Sequence, residues 1–136
     1  MKLTKAQRAA LREKFGGRCA YCGERLGDRW HADHIEYVER KLIYVPGKGA
    51  VCTGEMHRPE RDTIENLNPA CPPCNIDKHS FDLETWRGMI QRSNEVLTRD
   101  VSTFRRAIRY GLVSLSSEPV TFYFERHGIT AQEPTE

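Results

Sequence analysis

Two pairs of cysteines with identical spacing constrain this chain more than any other feature of its sequence. Two residues separate the cysteines of each pair, and the pairs are Cys19 with Cys22 and Cys71 with Cys74. This spacing lets both thiolates of one turn reach the same ion, and two such turns complete the tetrahedral sulfur set that zinc prefers. The alternatives are buried thiols or disulfides, and disulfides are rare in a reducing compartment. The sequence therefore predicts one structural Zn²⁺ site that joins two distant turns.

Length and hydropathy favour a small globular protein of the cytoplasm. The 136 residues are enough for one hydrophobic core, so we expect a single domain over residues 1–136. No apolar run approaches the ~18–20 residues that a membrane-spanning helix needs. The first residues are charged throughout and lack the apolar stretch of a signal peptide. We therefore expect a cytoplasmic protein with no membrane partner, in which thiols stay reduced.

Charge is unevenly distributed along the chain, although its net value is only +2. Residues 1–29 carry eight Lys or Arg and three acidic residues. Such a segment is compatible with a polyanionic partner and, equally, with a solvated helix face. The fifth cysteine, Cys52, has no partner at a ligand spacing, and we expect it to be a small packed residue.

Local patterns predict an alternation of short helices and strands. Thr4 and Gln7 have the spacing of a capping box, and Gly16 with Gly17 supplies a stop, so a helix is predicted at 5–15. Further helices are predicted at 73–79 and from Leu83 onward, the latter as one helix or as two that break near Asp100. Extended segments are predicted at 30–38, 41–45 and 119–126, a loop or insertion at 46–62, and a frayed tail from 128.

Ionisable residues crowd the chain between and beside the two cysteine pairs. Asn75 and His79 are four residues apart and would share one face of a short helix. Together with Asp33, they can offer oxygen and nitrogen ligands to a hard divalent ion while leaving coordination positions open, as catalysis requires. His34 can then act as a general base. The ordinary alternatives are a surface His79, an Asp33 paired with an arginine, and an Asn66 that only ends a strand.

Strand periodicity complicates this site. Strict alternation puts His31 and Asp33 on one face of the strand and His34 on the other. Because the site needs Asp33 and His34 beside the same ion, we expect a β-bulge or a strand end at this point. Without one, His31 would compete as the ligand.

The stretch "CAYC … DHI … ENLNPACPPCNIDKH" resembles the motif of the HNH endonuclease family in its zinc-stapled CxxC…CxxC form. It is similar to small stand-alone HNH nucleases of phages and prophages, and the resemblance covers about residues 15–80. It implies an α+β fold with a ββα-metal core stapled by a four-cysteine zinc site. An N-terminal helix would precede this core, and a C-terminal helical extension over about 82–126 would follow it and end in a strand.

The resemblance also implies a role for each matching residue. His34 matches the general base and Asn66 the asparagine that orients it, whereas Asp33 and Asn75 match ligands of a catalytic Mg²⁺ or Mn²⁺. His79 matches a position that is a ligand in some members, and Lys78 matches a lysine near the scissile phosphate. The implied reaction is hydrolysis of DNA phosphodiester bonds, leaving 5′-phosphate and 3′-hydroxyl ends. Basic residues of the extension would grip the DNA backbone, namely Arg105, Arg106 and Arg109.

One departure from the family pattern leaves the partners open. The segment 36–64 is longer than the usual turn and has Glu36 where many members have a proline. We expect this insertion to contact DNA or a phage or host protein, in the cytoplasm of a bacterial host cell. Cleavage of both strands would involve a homodimer. Two alternative functions are a non-catalytic zinc-stapled nucleic-acid-binding module and a protein-interaction scaffold, and neither requires the cluster of Asp33, His34 and Asn75.

Overall fold

The chain forms a mixed α+β structure with two small antiparallel sheets. The structure is a computed structural model, and it describes residues 1–130, with only the backbone considered at 128–130. The chain divides into two compact units, one made of Met1–Asp82 with the segment that starts at Phe122, and the other of Leu83–Thr121. The α+β class is confirmed, whereas the single domain, with its core at 15–80 and its extension at 82–126, stays a prediction.

The first unit begins with the predicted helix. Helix α1 spans Lys5–Arg12 and continues as a 3-10 turn over Glu13–Phe15. The capping box is present, because the Thr4 side chain accepts from the Gln7 backbone N–H and the Gln7 side chain accepts from the Thr4 N–H. Gly16 ends the segment with φ 66°, a left-handed conformation that glycine adopts without a steric penalty.

The strands of the first unit form two separate pairs. Strand β1 (His31–His34) is antiparallel to β4 (Leu67–Ala70), with His31 opposite Ala70 and His34 opposite Leu67. Strands β2 (Arg40–Val45) and β3 (Gly49–Met56) form a hairpin within the connection between β1 and β4. Helix α2 (Pro72–Lys78) follows β4 directly, with Pro72 and Pro73 in its first turn. Strand β1, strand β4 and helix α2 thus succeed one another around an inserted hairpin.

Two sequence predictions are wrong in this unit. The loop predicted at 46–62 contains β3, because "PGKG" forms the turn of a hairpin and not the start of an irregular insertion. The late strand predicted at 119–126 is absent, and the extension ends in helix α6 (Tyr123–Thr130). Glu125 accepts a hydrogen bond from the Phe122 N–H at 2.9 Å, which caps the first turn of this helix. The frayed tail falls largely outside the described residues.

The second unit consists of three short helices. These are α3 (Leu83–Gln91), α4 (Ser93–Asp100) and α5 (Ser102–Arg109). Of the two alternatives, the break near Asp100 is present, since Val101 is extended with φ −119° and ψ 105°. A second break lies between α3 and α4. No helix within residues 1–130 has the length and hydrophobicity needed to cross a membrane.

Candidate active site and metal centre

The first cysteine pair lies on a tight turn held by backbone hydrogen bonds. The Cys19 N–H donates to Glu24 O at 2.8 Å, and the Gly23 N–H donates to Cys19 O at 3.0 Å. The Tyr21 N–H donates to the Cys19 sulfur at 3.4 Å. Gly23 is needed here, because its φ is 79° and an added Cβ would lie 3.0 Å from the Tyr123 ring. These hydrogen bonds hold the backbone of the turn that carries both sulfurs.

The second pair is carried by the start of α2, and together the two pairs form the four-cysteine cluster (Cys19, Cys22, Cys71, Cys74). Cys71 is the residue before the first turn, and its carbonyl accepts from the Asn75 N–H at 3.0 Å. The four sulfurs lie within 4.8 Å of one another, and Cys22 Sγ is 3.7 Å from Cys71 Sγ. Tetrahedral Zn–S bonds of about 2.3 Å place sulfurs about 3.8 Å apart. The donor set therefore fits a zinc ion in both chemistry and spacing.

The sulfurs of the cluster also differ in acidity. The hydrogen bond with Cys74 lowers the pKa of Cys19 to about 4, whereas burial raises the pKa of Cys22 to about 11. The pKa of Cys74 is raised as well, mainly by its hydrogen bond to Cys19. Four thiolates this close repel one another, so their joint ionisation requires a bound cation.

Cys52 lies apart from this cluster. It is exposed on β3, so the prediction of a packed residue is wrong. The reason is that the β2–β3 hairpin has little interior: Leu42, Ile43 and Tyr44 are 58%, 53% and 78% exposed. The insertion at 36–64 thus presents apolar side chains at its surface, and its contact with DNA or a protein partner stays a prediction.

A cleft of about 470 Å³ gathers four of the nine other predicted site residues. We call it the His34 cleft, and its lining includes Asp33, His34, Arg40, Asn75, His79 and Ser80. Strand β1 supplies the first two of these side chains, β2 the third, and α2 with the residues after it the rest. Residues more than 40 positions apart in sequence thus meet in one place, as their types and order predicted.

Asp33 is held in the wall of this cleft by two donors. The Tyr21 hydroxyl donates to Asp33 Oδ2 at 2.5 Å, and Lys78 Nζ lies 3.1 Å from the same oxygen. Burial raises the pKa of Tyr21, with a further contribution from the Asp33 charge, so the phenol keeps the proton that it donates. No hydrogen bond within residues 1–130 engages Asp33 Oδ1. This second oxygen is the one available to a metal ion.

The structure corrects the prediction for Lys78. Its side chain is 1% exposed, and its amine also donates to the His34 carbonyl at 2.8 Å. A side chain enclosed in this way cannot reach a DNA phosphate. Lys78 instead ties the candidate metal ligand Asp33 to the backbone of the candidate base His34.

His34 has a carboxylate partner that the sequence did not reveal. Its Nε2 lies 2.9 Å from Asp62 Oδ1, and both side chains are largely buried. A carboxylate accepts hydrogen bonds, so Nε2 carries the proton and Nδ1 is the nitrogen that can accept another. Burial alone would raise the pKa of Asp62, but hydrogen bonds from the Met1 amino group and His34 outweigh it and lower that pKa. Asp62 therefore stays ionised well into the acid range.

Asn66 closes the loop between β1 and β4. Its side chain accepts from the Glu36 N–H at 3.0 Å and donates to the Glu36 carbonyl at 2.9 Å and to the Arg61 carbonyl. The Asn66 carbonyl in turn accepts from the Ile35 N–H at 2.8 Å. These bonds fix the backbone immediately after His34, so Asn66 is linked to the candidate base through the chain and not by a side-chain hydrogen bond to it.

Asn75 and His79 both line the His34 cleft, although they do not share one helix face as predicted. Helix α2 ends at Lys78, and His79 follows with φ 49° and ψ −129°. This conformation is rare for a residue with a side chain, and such outliers concentrate at functional sites. His79 Nδ1 lies 3.0 Å from Ser80 Oγ, which leaves Nε2 as the ring nitrogen that could bind an ion.

The end of strand β1 solves the alternation problem. The register from His31 to His34 is regular, and the strand stops at His34, so the predicted strand end is present and a bulge there is not. His31 is exposed and does not line the His34 cleft. A register shift occurs instead between Arg40 and Leu42.

The predicted DNA-binding arginines of α5 differ in their surroundings. Arg105 donates to the carbonyls of Thr98 and Arg99, both at 2.8 Å, and so caps the end of α4. Arg106 and Arg109 are exposed on α5. Several cations of the basic leading segment are likewise engaged, since Arg8 and Arg12 donate to backbone carbonyls at 26, 27 and 30.

Comparison with known proteins gives a relative whose name agrees with the motif resemblance. The chain is 28% identical over 89 residues to the "SPbeta prophage-derived putative HNH endonuclease YoqL" of Bacillus subtilis (strain 168). The matched region is 62% of this chain and 33% of that relative, so the chain spans about a third of the relative's length. No protein-family model matches the chain, and no solved structure matches it. The similarity points to a nuclease.

Proposed function

We propose that this protein is a metal-dependent DNA endonuclease of the HNH type. One observation carries the proposal: Asp33, His34, Asn75 and His79 line a single cleft beside the second turn of the four-cysteine cluster. A carboxylate, an amide, an imidazole and a candidate base are the groups that metal-assisted phosphodiester hydrolysis uses. The similarity to a protein named as an HNH endonuclease supports the same reaction.

The proposed core is a ββα-metal unit made of β1, β4 and α2. The antiparallel pairing of β1 with β4 and the position of α2 directly after β4 support this assignment. Zn²⁺ would bind to Cys19, Cys22, Cys71 and Cys74, whose sulfurs have the spacing of a tetrahedral site. This ion would be structural, because four protein ligands leave no position for a substrate.

A second ion, Mg²⁺ or Mn²⁺, would be held by Asp33, Asn75 and His79. Within residues 1–130, the four-cysteine cluster is the one set of three or more His, Cys, Asp and Glu side chains with converging ligand atoms. The second site rests on two such side chains and an amide, and such a sparse set leaves positions for water and phosphate oxygens. When bound, the ion would stabilise the negative charge that develops on the phosphate and the leaving oxygen.

The residues around the ion would divide the remaining work. Asp62 would hold the His34 ring through Nε2, so that Nδ1 takes the proton of the attacking water. Asn66 would fix the loop behind His34, and Tyr21 with Lys78 would hold the Asp33 carboxylate in its orientation. The substrate would be DNA in the cytoplasm of a bacterial host cell, where the thiolates stay reduced.

A plasmid assay tests the proposal. Supercoiled plasmid is incubated with zinc-loaded protein, with and without added Mg²⁺ or Mn²⁺. The fractions of nicked and linear plasmid are then measured over time. We expect metal-dependent cleavage that His34→Ala reduces by ~10²–10⁴-fold, because a general base is lost. The matched control is His31→Ala, which removes an exposed imidazole outside the cleft and should cleave at the parent rate. Plasmid binding without cleavage at any metal concentration would favour the non-catalytic nucleic-acid-binding module.

A further inference from the structure

The His34 cleft has a cation with no described partner. Lys78 is enclosed by its bonds to Asp33 and the His34 carbonyl, so its charge does not face a ligand. Among the described residues that line the cleft, Arg40 is the one Lys or Arg, and it is exposed. No hydrogen bond or ion pair joins the Arg40 guanidinium to another of residues 1–130. Its neighbour Lys41 differs, because its amine lies 3.4 Å from Glu55.

The backbone around Arg40 is irregular on both sides. Glu39 has φ 51°, a left-handed conformation that is uncommon for a residue with a side chain. A register shift follows between Arg40 and Leu42, where the pairing of β2 with β3 is interrupted. Bulges of this kind redirect a side chain and are frequent next to active sites.

Long-range contacts hold these irregularities in place. The carbonyl of Glu39 accepts from the His57 N–H at 2.8 Å, and the carbonyl of Val38 accepts from the Arg58 N–H at 3.2 Å. Val38 itself is 1% exposed and anchors the start of the hairpin. The irregular backbone therefore belongs to the root of the folded hairpin, where Arg40 begins strand β2 opposite Met56 and lines the cleft.

We infer that Arg40 is the phosphate-binding side chain of the His34 cleft and clamps the phosphodiester that lies across it. A guanidinium presents a planar pair of N–H donors that matches two phosphate oxygens, which an ammonium cannot reproduce. Asp33 and His34 at the cleft already have partners, since Asp33 pairs with Lys78 and His34 is hydrogen-bonded to Asp62. Arg40 would thus provide the phosphate contact that the family resemblance implied for Lys78. This inference rests on the proposed function.

The experiment measures DNA binding separately from cleavage. A fluorescent duplex of about 20 base pairs is titrated with zinc-loaded protein in buffer without added Mg²⁺ or Mn²⁺, over a series of salt concentrations. Arg40→Ala should weaken binding and lower the slope of log K against log salt by about one, as expected for one lost phosphate contact. Lys41→Ala, the same charge one residue along β2 but engaged with Glu55, should bind and cleave like the parent. Zinc content and circular dichroism establish that each variant is folded.

Cleavage then separates charge from geometry. Arg40→Lys should keep the salt slope and still lose about 10–100-fold in kcat/KM, since charge-assisted bonds to both oxygens are no longer made. If Arg40→Ala keeps both the slope and the cleavage rate of a cleaving parent, the inference is wrong and the proposed function stands. If the parent never cleaves but Arg40→Ala still loses one unit of slope, the phosphate contact stands and the proposed function fails.

Discussion

The four-cysteine cluster and the His34 cleft both gather metal-binding side chains, but they are built in opposite ways. The cluster brings four identical sulfurs within 4.8 Å of one another, on two turns that backbone hydrogen bonds hold. The cleft brings together an acid, an amide and imidazoles from strand β1 and from helix α2 with the residue that follows it. Two non-glycine residues among those described have positive φ: His79, which lines the cleft, and Glu39, which precedes the lining residue Arg40. The first arrangement would surround an ion with four protein ligands, whereas the second would leave coordination positions open.

The difference extends to what stabilises each set of donors. The sulfurs have one another and backbone N–H donors such as that of Tyr21, and a cation would relieve their mutual repulsion as thiolates. In the cleft, other protein groups stabilise the charges. Lys78 neutralises the Asp33 carboxylate, the Tyr21 hydroxyl donates a hydrogen bond to it, and Asp62 holds the His34 ring. We therefore expect the cleft to keep its shape without its divalent ion, whereas the cluster, and the fold with it, depends on zinc.

Removal of zinc should have the largest effect. A structural zinc site of this kind contributes on the order of 10 kcal/mol to folding. Chelation, or Cys19→Ser, should therefore abolish cooperative thermal unfolding, whereas withholding Mg²⁺ and Mn²⁺ from zinc-loaded protein should not change it. Elemental analysis together with circular dichroism measures both effects. Cys52→Ser is the matched control, since this exposed cysteine lies outside the cluster. A folded protein that contains no zinc would contradict the expectation that the four-cysteine cluster needs its ion and the cleft does not.

Lys78→Met should have the next largest effect, on stability. It leaves the buried carboxylate of Asp33 without its ion-pair partner, and breaking a buried pair in this way costs about 3–5 kcal/mol. Urea unfolding of the zinc-loaded protein measures the loss, with Lys48→Met in the exposed hairpin turn as the control. If Lys78→Met is as stable as the parent but binds DNA less tightly, then Lys78 contacts phosphate and does not stabilise the Asp33 carboxylate.

Asp62→Asn should affect catalysis and leave the fold unchanged. An amide can present its NH₂ group to Nε2, which favours the wrong tautomer of the His34 ring. Loss of such an orienting partner typically costs about 10–100-fold in activity. The loss should appear in kcat, while KM for plasmid and the melting temperature remain those of the parent. Glu60→Gln, a nearby exposed acid, is the control. A matching fall in thermal stability would mean that Asp62 is only a structural residue.

Sequence reasoning succeeded where chemistry and spacing coincide. Two CxxC turns, the capping box of Thr4 and the grouping of Asp33, His34 and Asn75 follow from local motifs, and the structure brings each group together. The family-specific roles of these residues stay predictions. A β-bulge or a strand end was expected because two adjacent side chains had to reach one place, and β1 does end at His34, although the extended segment was predicted to continue to residue 38.

The remaining features depend on packing that local sequence does not encode. The aromatic stretch at 122–124 reads as a strand, but Phe122 packs on Tyr21 with ring centroids 5.6 Å apart, and the chain then enters α6. Asp62 has no distinguishing neighbours in sequence, and its bond to His34 exists only through the fold. Lys78 was misassigned for the same reason, because burial decides whether a lysine meets a phosphate or a carboxylate.

The smallest effect concerns the arginines of α5, which belong to neither site. We expect Arg106→Ala with Arg109→Ala to reduce the salt slope of duplex binding by about two, with little change in stability, because both side chains are exposed. Arg105→Ala should instead lower stability and leave the salt slope nearly unchanged, since the two hydrogen bonds of Arg105 to carbonyls at the end of α4 hold the helix junction. Anisotropy titrations and urea unfolding of the parent and both variants distinguish the two results. If the double variant keeps the parent slope, the DNA does not run along α5, and the open cleft must hold it through the first unit alone.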